Sequence, residues 1–110
     1  MKFSLLAFIA ILSICQSIYG QSYRPIAAPL IEASCIHCHD GDSDNELNLL
    51  DLDGDLSDSH TFKQWEKIYN RAKSGEMPPA SEPPADLNSL KAALTAIEKD
   101  LFRANLLTQQ

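Results

Sequence analysis

Residues 35–39 read Cys-Ile-His-Cys-His, a C-x-x-C-H pattern. Two thiols three positions apart can each bond one of the two vinyl groups on a single porphyrin edge, and the histidine that follows can reach under the ring to the iron. On this reading Cys35 and Cys38 are the thioether attachment points of one c-type haem, and His39 is its proximal iron ligand. Met77 lies 38 positions beyond His39 and is followed by Pro78-Pro79. A methionine in a stiff proline loop can present its thioether to the open face of a haem, where sulfur coordination favours ferrous iron and raises the reduction potential. His60 is the alternative distal ligand. His37 sits inside the motif and is expected to turn its ring away from an iron already held by His39.

Three other chemistries use a paired cysteine. A zinc site would draw on Cys35, Cys38 and two of His37, His39 and His60, but structural zinc normally takes two separated ligand pairs, and a second cysteine pair is missing. A thioredoxin-like redox pair needs a strand–helix setting that the sequence does not offer. A plain Cys35–Cys38 disulfide explains neither His39 nor the Met77 loop. The haem reading accounts for all of them.

The elements that must position these residues are helical. Residues 21–26 read as a short polar leader and residues 27–34 as a short helix, with Pro29 tolerable in its first turn. Residues 40–58 form an acidic stretch with leucines at 47, 49, 50, 52 and 56. The leucines give this loop something to bury, and a haem edge is one suitable surface. Asp40, Asp42, Asp44 and Asp51 also fall on positions of a calcium-loop template, although Asn45 replaces its glycine and Asp51 its glutamate. The plainer reading is a solvated, turn-rich face.

Residues 61–73 read as an amphipathic helix. Thr61 and Gln64 resemble a capping box. Phe62, Trp65, Ile68, Tyr69 and Ala72 share one face, Lys63, Lys67 and Arg71 the opposite one, and Gly75 is the natural C-cap. Helix packing accounts for Trp65 and Tyr69, though either ring could flank a haem. A proline-rich loop follows over residues 75–85. Asp86 is an expected N-cap. Leu87, Leu90, Leu94, Ile97 and Leu101 then form one apolar stripe, predicting a helix to about residue 105. No segment alternates as a strand would.

The 110-residue length suggests one domain. Met1-Lys2, an apolar run to Ile14 and small residues up to Gly20 describe a secretory signal peptide over residues 1–20, leaving 21–110 as the haem domain. The apolar run falls short of the roughly 20 residues a membrane span needs, so no integral span is expected in the mature chain. Leu12-Ser13-Ile14-Cys15 hints at a lipid anchor at Cys15, but Ile14 is larger than such sites accept. The expected location is the periplasm or an equivalent extracytoplasmic space. Losing Lys2 leaves a chain more acidic than the overall net charge of -6. That argues against nucleic acid, whose phosphates require a basic surface, and suits a basic partner.

C-x-x-C-H, an acidic leucine-containing stretch, an aromatic helix and then Gly75-Glu76-Met77-Pro78-Pro79 together resemble the planctomycete-type cytochrome c domains, within the wider class I cytochrome c fold. The likeness spans about residues 28–104. It implies thioethers at Cys35 and Cys38, His39 as proximal ligand and Met77 as distal ligand. It also implies an all-α domain around one covalent haem, with the 61–73 helix supporting the pocket and the proline loop closing its distal side. Such domains often sit inside longer exported proteins, so this chain would be a free-standing version or a fragment. The expected function is single-electron transfer between redox partner proteins rather than catalysis. An electron-entry subunit of an exported oxidoreductase and a haem-based sensor remain alternatives.

Overall fold

The computed structural model describes residues 23–42 and 47–109. The signal-peptide reading, with Cys15, falls on residues outside that range. Among the described residues three helices follow in chain order: α1 (Tyr23–Ser34), α2 (Ser59–Ser74) and α3 (Leu87–Thr108). No strand occurs among the described residues. No helix among them is long and apolar enough to cross a membrane.

Helix α1 starts earlier than its local sequence suggests. Residues 23–26, read as part of a polar leader, are already helical, and Tyr23 belongs to the core. The reason is tertiary. The Tyr23 hydroxyl donates to the Gly54 carbonyl at 2.8 Å, and its backbone N–H donates to Asp100 Oδ2 at 3.1 Å. Its ring meets Trp65 edge-on, with centroids 4.9 Å apart, a favoured aromatic geometry. Arg24 donates to the Leu52 carbonyl at 3.2 Å. Pro25 takes the first turn, where a missing N–H costs little. Pro29 is inside the helix and removes one intrahelical bond. The anchored N-terminus and buried Ala27 and Leu30 offset that loss.

Helix α2 also starts earlier. Its N-cap is Asp58, whose carboxylate accepts from the Thr61 N–H at 2.9 Å and the Thr61 hydroxyl at 2.8 Å. The carboxylate outcompetes the Thr61–Gln64 capping box because it meets the exposed N–H groups with a full charge. These bonds hold the Asp58 carboxyl below its ordinary range. Gly75 ends the helix in the left-handed region, at φ 82. Helix α3 opens as its sequence predicts: Asp86 accepts from the Ser89 N–H at 2.9 Å. It runs three residues further than predicted, to Thr108.

Helix α3 packs on both α1 and α2. The core is Tyr23, Ala27 and Leu30 from α1, Trp65 from α2 and Ala93, Ile97 and Leu101 from α3. Ala27 and Ala93 are fully buried, and their size lets α1 and α3 approach closely. Leu87, the first residue of the predicted stripe, is 67 % exposed, because it precedes the segment that faces α1. The leucines of the acidic stretch divide. Leu52 and Leu56 pack on the helical core, Leu49 is buried, and Leu50 is exposed. None of these leucines lines the space beside the cysteines.

Candidate haem site

The cysteine motif continues directly from α1. Cys35 and Ile36 both donate to the Ile31 carbonyl, and His39 donates to the carbonyls of Cys35 and Ile36 at 3.1 Å each. This winds residues 35–39 into tight turns, which bring positions 35 and 38 round to one side. The thiols are not joined in a disulfide. Cys35 Sγ lies 3.7 Å from the Leu30 carbonyl, and burial pushes its thiol pKa up.

His39 is fixed at both ends of its residue. Its carbonyl accepts from the Leu49 N–H at 2.8 Å. Its ring Nδ1 lies 3.2 Å from the Leu47 carbonyl. A carbonyl only accepts, so Nδ1 carries the proton and Nε2 keeps its lone pair for a metal. A backbone carbonyl behind a ligating imidazole orients the ring. The return of the chain from His39 to Leu47 depends on Gly41. It sits at φ 89, and a Cβ there would lie 2.6 Å from the Asn48 amide nitrogen.

Met77 is half-buried and joined to Pro78 by a cis peptide bond. Its N–H donates to the Arg71 carbonyl at 3.1 Å, so the proline loop folds back over the last turn of α2. Cys35, Cys38, His37, His39, Met77, Pro78 and Pro79 line one cavity of about 490 Å³. Ala33 and Ser34 at the end of α1, and Glu82, Pro83, Pro84 and Asp86 ahead of α3, complete the wall. The four residues proposed from the sequence are therefore brought together.

Other sequence candidates lie elsewhere. His60 is exposed in the first turn of α2 and does not line the cavity. His37 lines it but is exposed. Trp65 donates from Nε1 to the Asp53 carbonyl at 2.8 Å and meets Tyr23 edge-on, and Tyr69 faces the groove between α2 and α3. Neither ring reaches the cavity, so α2 supports it only through the Met77 loop. The cavity's carboxylates, Glu82 and Asp86, escaped sequence reasoning. Asp86 shows only as a cap, and nothing local says that the proline loop brings Glu82 back towards the cysteines.

A second groove, of about 530 Å³, lies beside Ile31, Ile36, Leu49 and Trp65. It is slightly larger but carries no cysteine, histidine or methionine, and Glu32 is the one carboxylate on its walls. Among the described residues no three of His, Cys, Asp and Glu are grouped to hold a metal ion. That leaves the zinc reading of the cysteine pair unassembled. The acidic stretch spends its carboxylates on its own backbone and neighbours. Asp40 caps the Asp42 N–H, Asp55 the Ser57 N–H, and Asp51 accepts from Asn48. Asp44 lies outside the described residues.

An all-helical chain with C-x-x-C-H at the end of its first helix and a methionine loop across a shared cavity has the makings of a small cytochrome c domain. Residues 35–81 match the family model for Planctomycete cytochrome C, and this segment is similar to the planctomycete-type cytochrome c domains. The match runs from Cys35 into the proline loop, beyond Met77. No curated protein and no solved structure matches the chain. That likeness points to a haem-binding, electron-transferring role.

The residues present fit a c-type haem. Two thiols stand on one wall of a cavity within the 300–1,000 Å³ range of small-ligand sites. An imidazole with its far nitrogen already engaged, and a thioether on a stiff loop, supply a nitrogen and a sulfur donor to the same space.

Proposed function

We propose that this chain is an exported mono-haem c-type cytochrome that carries single electrons between redox partner proteins. Cys35 and Cys38 hold the haem as thioethers, His39 Nε2 is the proximal ligand and Met77 Sδ the distal one. The observation that carries this reading is the meeting of all four side chains on one cavity, with the His39 ring set by the Leu47 carbonyl. The bound haem supplies an iron that alternates between ferric and ferrous states. The chain's own residues orient and enclose it. The Leu47 carbonyl keeps the imidazole in the ligating tautomer, the prolines hold the thioether in place, and the cysteines fix the ring's edge. With His39 and Met77 both ligating, no position is left for a substrate, so the role is carriage rather than catalysis. The Lys2 start and the apolar run to Ile14 support export to the periplasm or its equivalent, with cleavage after Gly20. The excess of acidic residues suits a partner with a basic docking face.

A second reading, an electron-entry subunit of a larger exported oxidoreductase, draws support from Phe102, Leu106 and Leu107, apolar residues left exposed on α3. A co-purifying dehydrogenase would favour it.

The test is an oxidised and reduced absorption spectrum of protein matured in a haem-attaching, exporting host, with a pyridine haemochrome assay on the same sample. A low-spin c-type spectrum is expected, with a ferric methionine–iron band that disappears in Met77→Ala. Covalent haem that lacks this band removes Met77 from the iron and turns the reading towards a sensor. Absence of covalent haem overturns it altogether.

A further inference from the structure

The cavity wall carries charge of one sign. Glu82 and Asp86 both line it, and no lysine or arginine does. Asp86 is held ionised by its place at the start of α3, where the Ser89 N–H bonds its carboxylate and depresses its pKa. Arg71, at the end of α2, faces Glu76 at 3.7 Å and does not line the cavity. A space of about 490 Å³ is about 10 Å across, and at that range a unit charge still acts on a charged centre when the medium between them is mostly protein.

We infer that Glu82 and Asp86 are the potential-setting residues of this site: their carboxylates favour the ferric over the ferrous state and hold the reduction potential below what the His39–Met77 ligand pair alone would give. The inference rests on the haem reading above. The physical step is short. Oxidation adds one positive charge to the iron centre, and fixed negative charges on the wall stabilise it. Both side chains are exposed on their outer side, so solvent screens them and the effect of each is moderate. The methionine thioether and the two carboxylates thus act in opposite senses on one centre.

The experiment is a potentiometric titration of the isolated haem-loaded protein, comparing wild type with Glu82→Gln, Asp86→Asn and the double variant. Asparagine caps helices as well as aspartate does, so Asp86→Asn keeps the start of α3 while removing the charge. Glu66→Gln, in the groove between α2 and α3, serves as a remote control. Each site variant is expected to shift the ferric–ferrous equilibrium about threefold to tenfold towards ferrous, a rise of roughly 30–60 mV for one electron. The double variant should rise further, Glu66→Gln should stay put, and the rises should shrink in high salt. Unchanged potentials in both site variants, or a rise equal to that of Glu66→Gln, overturn the inference. The haemochrome assay on the same samples separates the two levels: no covalent haem sinks the parent reading, whereas covalent haem with unmoved potentials sinks this one alone.

Discussion

The molecule has two sides that are built differently. On the helical side, Tyr23, Ala27, Trp65, Ala93 and Ile97 are at most 3 % exposed, and their polar atoms are paired within the protein. On the cavity side no lining residue is fully buried: Cys35, Cys38, His39 and Met77 are half-buried and Glu82, Pro83 and Pro84 are exposed. One side is closed by its own side chains. The other consists of two turns and a proline loop around a space that the chain does not fill. A chain this short cannot bury a large core by itself. The protein's packing is concentrated where it fixes the helices, and on the proposed function a haem completes the motif side.

The sharpest way to break this contrast is Trp65→Ala. Trp65 is 2 % exposed, meets Tyr23 edge-on and satisfies the Asp53 carbonyl. Its removal is expected to cost about 3–5 kcal/mol, a large part of the stability of a small domain. Urea unfolding of the haem-loaded protein measures it. The spectrum of the still-folded fraction should keep its methionine–iron band, because Trp65 does not touch the cavity. Loss of the band in folded protein would show that the two sides are one cooperative structure.

Tyr23→Phe cuts a single bond on the same side. The buried Gly54 carbonyl loses its donor, at a cost of about 1–2 kcal/mol. The phenol also makes a pH-dependent contribution. Burial is the main cause that pushes its pKa from 10.0 up to about 12. A folded value above the unfolded one means that the folded state favours the protonated phenol. The contribution is therefore complete below pH 10 and is lost as pH rises from 10 towards 12. Stability measured across that window should fall more steeply in wild type than in Tyr23→Phe. Parallel slopes would mean that the phenol is not buried in solution.

The two sides also differ in how far the sequence discloses them. The site reads well because its rules are local. C-x-x-C-H needs only five adjacent residues, and Met77-Pro78-Pro79 only three. The Asp86 cap and the Gly75 stop are similarly short-range. What misleads is long-range. Tyr23 follows a polar segment and precedes two prolines, so local reasoning leaves it outside any helix, while its partners are 31 and 77 positions away. The α2 start is misplaced by a competition between two good caps, which only geometry decides for Asp58. The leucines of the acidic stretch show that something is buried but not against what, and of them Leu52 and Leu56 pack on the helices. Glu82 joins the cavity through the path of a proline loop, which carries no periodicity to read.

Gly75 stands where the two sides meet, and it sharpens the comparison with the smallest effect. It ends α2 at φ 82, and a Cβ there would touch nothing within 4 Å. An alanine would therefore meet no clash with neighbours, only the left-handed backbone penalty of about 1 kcal/mol. That penalty falls on the turn that lets the Met77 N–H reach the Arg71 carbonyl. Gly75→Ala should thus lower the urea midpoint slightly and weaken the methionine–iron band, and that weakening of the band is what Trp65→Ala, with its far greater cost in stability, should not produce. Asparagine tolerates this region better than alanine, so Gly75→Asn should recover part of both losses. If alanine leaves the band at full strength, the proline loop holds Met77 without help from the helix end, and the cavity side is more self-sufficient than its few hydrogen bonds suggest.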